Sequence, residues 1–219
     1  MLRHRSLVLA GAAALAATLA LCGCSVMPEV AAAGDPTPTA DHPHIAVIGD
    51  SIESGLGVEP SEAWPALVAV DLRWELDNLS VAGSGFVTRG DRYEDYTTQI
   101  ERAIAAKAQI VLIGASDNDL GQDIAEVSAA MTAAVGRLKT ALPGVQLVGL
   151  SALSGAAGDD QLAPLDSALE SVVTEAGGEW LSLGQPYRGV DGRVQEDGEY
   201  PTVAGQQAIA SVVLERLDD

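Results

Sequence analysis

Residues 45–57 read Ile-Ala-Val-Ile-Gly-Asp-Ser-Ile-Glu-Ser-Gly-Leu-Gly, and within them an apolar run breaks into a turn that displays Ser51. Ile45, Val47 and Ile48 make a short buried strand that stops at Gly49, leaving Asp50 and Ser51 on the turn. A serine just past the carboxyl end of a parallel strand sits where open α/β sheets place their chemistry.

From Ile45 onward, short apolar runs alternate with longer helical patterns. The strand candidates are Ile45–Ile48, Trp74–Val81, Ile110–Ala115, Val145–Leu150 and Trp180–Leu183. Helices are predicted over Glu62–Leu72, Tyr93–Lys107, Ile124–Leu142 and Leu162–Ala176, with a last one after Thr202. Ile100, Ala103, Ile104 and Lys107 show the spacing that lays one helix face on a sheet, and Pro143-Gly144 stops the third helix. Alternation of this kind implies right-handed crossovers and a parallel sheet of about five strands covered on both faces, a three-layer α/β/α domain.

Upstream, Arg3, His4 and Arg5 precede an Ala/Leu run from Leu7 to Leu21, too short and Ala-rich for a spanning helix. Residues 1–23 therefore read as an export signal. Leu21-Cys22-Gly23-Cys24 resembles the lipobox of bacterial lipoproteins, which implies cleavage before Cys24 and a lipid anchor on its sulfur. The expected location is extracytoplasmic and membrane-anchored, with plain secretion as the alternative. Residues 24–43, rich in Pro, Ala and Thr, read as a tether, and 44–219 as one domain. With Cys24 lipidated no intramolecular disulfide remains, and four-cysteine zinc sites are excluded. The formal net charge is −19 over 219 residues. Loss of Arg3 and Arg5 with the leader makes the product more acidic still. Such a surface repels phosphate backbones, so nucleic acid is not an expected partner.

Gly49-Asp50-Ser51, followed by Glu62-Ala63-Trp64-Pro65-Ala66-Leu67, resembles the opening of the SGNH, or GDSL-type, hydrolases, and later blocks of that family have counterparts in order across about 44–217. The resemblance implies a flavodoxin-like sheet carrying a Ser nucleophile, a Gly and an Asn that donate into an oxyanion hole, and a C-terminal Asp-x-x-His. Ser51 matches the nucleophile. Asn78-Leu79-Ser80-Val81-Ala82-Gly83 resembles the second block, with Gly83 at the oxyanion glycine; Gly85 is the alternative. In Gly114-Ala115-Ser116-Asp117-Asn118-Asp119, ungapped alignment gives Asn118 the oxyanion position, whereas use of Gly114 would put Ser116 there. Asp117 is expected to bond turn amides as an Asx residue.

Asp197-Gly198-Glu199-Tyr200-Pro201 resembles the last block, with Asp197 at the orienting carboxylate and Tyr200 in the histidine's place. Of the chain's three histidines, His4 lies in the leader and His42 in the tether. His44 lies at the opposite end of the first strand from Ser51, about 15–20 Å away. A tyrosine near pKa 10 needs a shift of about three units to act as a base at neutrality. Asp197 and Glu199 are weak bases toward an alcohol, as is Glu53, which is expected to be solvated on its loop; Gln206 has no base character. Two functions follow: a lipid-anchored esterase acting on small acyl esters, envelope glycans or lipids, or a pseudo-hydrolase that binds an acylated glycan or lipid, Tyr200 stacking on a sugar and bonding Asp197. Neither needs a metal or cofactor, and a monomer is expected.

Overall fold

The computed structural model describes residues 42–218. The leader, Cys24 and nearly all of the tether lie outside these residues. Five parallel strands form one sheet in the order β2-β1-β3-β4-β5: β1 His44–Ile48, β2 Glu75–Asn78, β3 Ile110–Ser116, β4 Gln146–Leu153 and β5 Glu179–Leu181. This is the flavodoxin-like order, in which chemistry collects where the winding direction reverses, between β1 and β3.

Strand periodicity explains why both faces are covered. Ala46 and Ile48 of β1 point to one face and meet Val111 and Ile113 of β3. That layer is closed by α3 (Tyr96–Ala106), α4 (Ile124–Ala141) and α5 (Asp159–Glu175). Ile45 and Val47 point the other way with Leu112, Val148 and Leu150, beneath α2 (Trp64–Leu72) and α6 (Val203–Asp218). Every residue of β3 is buried, as expected of a central strand sandwiched between helices.

Several boundaries differ from the expectations, three of them beside the site or its supporting helices. The strand predicted over Trp74–Val81 is only Glu75–Asn78; beyond it the chain keeps bonds from Leu79 N to Val47 O and Val81 N to Gly49 O while it turns toward the site. The helix predicted from Tyr93 begins at Tyr96, because Asp91–Tyr93 forms a tight turn with Arg92 and Tyr93 at positive φ and Asp95 caps the helix proper. The fourth predicted helix starts earlier, at Asp159, with Gln161 reaching back to bond Gly158 N at 2.9 Å. A register shift between Gly114 and Ser116 interrupts the β3–β4 ladder at its carboxyl end. Such irregularities re-aim side chains at the rims of sheets, and here the residue affected is Ser116.

Candidate active site

Ser51 is the first residue of a single helical turn, α1 (Ser51–Ser54), that follows β1 directly. Asp50 caps this turn, its Oδ1 accepting from Ile52 N at 3.1 Å, and Glu53 Oε2 accepts in return from Asp50 N at 3.0 Å. This reciprocal box fixes the direction in which Ser51 leaves the strand. Gly49 must be glycine, since a Cβ there would fall 2.3 Å from Glu53 Cγ. Gln206 of α6 ties the same turn to the helix layer, donating to Ile52 O at 3.0 Å and accepting from Trp64 N at 2.9 Å.

Gly83 N donates to Ser51 Oγ at 3.0 Å. Gly83 has φ +76, which favours glycine. Gly85 makes room for a different neighbour, since a Cβ there would fall 2.5 Å from the Asp119 carboxylate. Of the two glycines, Gly83 is the one that meets the serine. Gly90 crosses the same backbone so closely that its own Cβ would fall 2.2 Å from Ala82 O.

Asn118 lies half-buried in the turn after β3, its Nδ2 donating to Ser84 O at 3.1 Å and to Ser116 Oγ at 3.0 Å. Its amide hydrogens thus have protein acceptors, and a ligand oxygen must compete with these. Ser116 lies deeper, its hydroxyl 2.6 Å from Asp50 Oδ2 and 2.9 Å from Ser84 O. Asp119 is buried and accepts from Phe86 N at 2.6 Å, Val87 N at 3.2 Å and Thr88 N at 3.0 Å, holding the loop beyond Gly83.

Tyr200 packs against the α2/α6 core layer, with its phenol near enough to Ser51 for the serine side chain to act on its ionisation. Its pKa is raised above the ordinary phenol value, first by burial and then by the charge of Glu199; the Ser51 side chain works the other way. Asp197 caps the turn instead of meeting the phenol, its Oδ1 accepting from Glu199 N at 2.9 Å and Tyr200 N at 3.1 Å. Among the described residues the histidines are His42 and His44. His44 opens β1, with Nε2 3.0 Å from Asp77 Oδ2, at the far end of the strand from Ser51.

Two expectations are corrected. Glu53 is buried rather than solvated, because its carboxylate folds back over Gly49 to bond Asp50 N. Burial raises the pKa of both Glu53 and Asp50, and the charge of Glu53 raises Asp50 further. Asp117 bonds no turn amide: Ser116 Oγ takes Asn118 N at 3.2 Å, and Asp117 lines a groove together with the buried Ser154. Burial raises its pKa, and the nearby Ser154 side chain opposes the rise. The Asp50–Glu53 pair was readable in outline, since an acidic cap followed three residues later by Glu is a capping signature; nothing in the sequence showed that the pair is buried.

Two grooves are lined by the site residue Asn118 or by chain neighbours of Ser51 and Gly83. One, of about 360 Å³, is lined by Asp117, Asn118, Leu120, Ser154, Ala156, Ala157, Gln161 and Glu199. The other, of about 380 Å³, runs along residues 54–58 and 80–82 to Asp91 and Arg92.

A family profile, that of the GDSL-like lipase/acylhydrolases, matches residues 47–208. The chain belongs to that family. Solved structures agree with this GDSL-like fold at low sequence identity. The crystal structure of TesA has a TM-score of 0.65 at 21% identity, covering 80% of this chain and 97% of its own. The psychrotrophic esterase EstA from Pseudoalteromonas sp., solved with monoethylphosphonate as inhibitor, has a TM-score of 0.66 at 16% identity, covering 80% and 96%. A family two carbohydrate esterase from Cellvibrio japonicus has a TM-score of 0.65 at 16% identity, covering 83% of this chain and 62% of its own. No curated protein sequence matches this GDSL-like chain.

Proposed function

We propose that this chain is an exported, lipid-anchored serine esterase that removes acyl groups from small esters, glycans or lipids. The observation that carries the reading is the 3.0 Å bond from Gly83 N to Ser51 Oγ: a main-chain donor is already aimed at the atom that would attack. When Ser51 oxygen bonds to an acyl carbon, the displaced carbonyl oxygen lies close to this amide, and such prepositioned donors stabilise an oxyanion strongly in a shielded site. Asn118 adds a neutral donor once its amide turns from Ser84 O. Asp197 sets the turn that brings Tyr200 near Ser51. The basic start at Arg3 and Arg5, the run Leu7–Leu21 and Leu21-Cys22-Gly23-Cys24 support export and lipidation of Cys24; loss of labelled fatty acid from a Cys24→Ala variant tests that part. Polar walls in the Asn118 groove favour a hydroxyl-rich alcohol such as a sugar.

Hydrolysis of p-nitrophenyl acetate by the full chain, compared with Ser51→Ala, tests the activity. Turnover that disappears in the variant supports the esterase; equal rates near background overturn it. One observation favours a second reading. The group near Ser51 is a phenol whose raised pKa disfavours its acting as base. A pseudo-hydrolase that keeps the pocket and binds an acylated glycan or lipid would look the same at rest, and it would give those equal background rates.

A further inference from the structure

An amide side chain on the buried face of a helix is costly unless its polar groups are all bonded. Gln99 lies on the face of α3 that also buries Tyr96, Ile100 and Ala103, and it is 0% exposed. Its Oε1 accepts from Gly49 N at 3.0 Å. Its Nε2 donates to Gly49 O at 3.0 Å and to Ser84 Oγ at 2.9 Å. One planar amide therefore grips both main-chain groups of Gly49, as a neighbouring strand would, and spends its second hydrogen on another segment.

Those two segments carry the reacting pair. Gly49 stands two residues before Ser51, and Ser84 directly follows Gly83, whose N–H donates to Ser51 Oγ at 3.0 Å. A main-chain bond from Val81 N to Gly49 O, at 3.2 Å, joins the segments before they diverge. Ser84 carries the grip onward. Its Oγ lies 2.6 Å from Val81 O and 3.3 Å from Gly49 O, so its single hydrogen goes to Val81. Its carbonyl accepts from Ser116 Oγ at 2.9 Å and from Asn118 Nδ2 at 3.1 Å. A shift of Ser84 would move Gly83 N and the resting place of the Asn118 amide together.

We propose that Gln99 is a positioning residue of the oxyanion site, its amide setting the spacing between Ser51 Oγ and Gly83 N by holding Gly49 against Ser84. This rests on the esterase reading above. Gln99 acts through Gly49 and Ser84, not on the substrate. Its effect falls on the transition state, because the carbonyl oxygen gains charge only as Ser51 attacks, and a displaced donor forfeits its worth at that moment. Binding of the neutral ester changes little.

The test measures kcat and KM for p-nitrophenyl acetate with the full chain, its Ser51→Ala control, Gln99→Met and Ser84→Ala, each scaled to the folded fraction seen by circular dichroism. Gln99→Met fills a similar length of core and carries no amide. The expected result is a kcat about 10²-fold lower in Gln99→Met, with KM within about threefold of wild type. Ser84→Ala, which removes only the second attachment, should lower kcat about tenfold. A residue that merely supports the core would lower the urea midpoint and leave kcat per folded molecule alone. A folded Gln99→Met with kcat within about threefold of wild type therefore overturns the proposal and leaves the esterase standing. If Gln99→Met does not fold, Ser84→Ala decides, and a kcat within about twofold of wild type overturns the proposal. Turnover that is no higher in wild type than in Ser51→Ala overturns both readings together.

Discussion

Glu53 and Asp50 lie buried beneath the nucleophile, with Glu53 Oε2 accepting Asp50 N at 3.0 Å. The pKa of each is raised by burial first. The folded state therefore keeps protons that the unfolded chain gives up near pH 4. Stability is greatest below that point and falls as pH rises through the pair's folded range. Glu53→Gln keeps an acceptor for Asp50 N and removes one titration. Urea midpoints measured from pH 4 to 8 should fall less steeply in Glu53→Gln than in wild type, and parallel slopes would refute the assignment.

Tyr200 lies near Ser51, and the family resemblance assigns it the place of a catalytic histidine. Tyr200→His should raise Ser51-dependent kcat/KM for p-nitrophenyl acetate by about 10² or more, the ordinary worth of a placed general base. A folded variant with no gain would show that the surrounding pocket does not orient a ring nitrogen toward the serine.

Asp119 accepts three consecutive amides, Phe86 N, Val87 N and Thr88 N. Asp119→Ala should lower unfolding free energy by at least about 2 kcal/mol, since amides bonded to a charged group lose their partner. Gly85→Ala should act in the same direction, its Cβ falling 2.5 Å from the same carboxylate. Equilibrium urea unfolding of both variants checks this; stability unchanged in Asp119→Ala would rule out Asp119 as the anchor of the loop.

Asp166 of α5 accepts from Ala152 N at 2.7 Å, and burial raises its pKa to about 6. The charges of Asp159 and Glu170 push in the same direction. Its contribution to stability is complete below about pH 4 and is lost as pH rises to about 6, with no further change above. Asp166→Asn should flatten melting temperature against pH in that window. A curve that superimposes on wild type would contradict the shift.

The sheet was legible because its strands carry the pattern that burial on two faces demands. Ile45 through Ile48 and Ile110 through Ala115 are nearly continuous apolar runs bounded by glycine or polar turns. The second strand was overestimated because Leu79 and Val81 still bond β1 after the ladder ends. The structure brings Gly83 rather than Gly85 against Ser51, and that distinction needed the Asp119 carboxylate, which comes from the turn after β3. Glu53 misleads for a similar reason. A glutamate beside glycines looks solvated until its side chain is seen folded over Gly49, and Asp117 looks like a turn residue until Ser116 is seen to take the turn amide in its place.

Gln206 joins the first turn of the domain to its last helix through Ile52 O and Trp64 N. The order of synthesis is thereby coupled to the readiness of the site. Ser51 is among the first residues of the domain to leave the ribosome, yet its turn has no such tie until nearly the whole chain has followed. A protein truncated before α6 would lack one layer of core and would also leave the serine's turn without its brace.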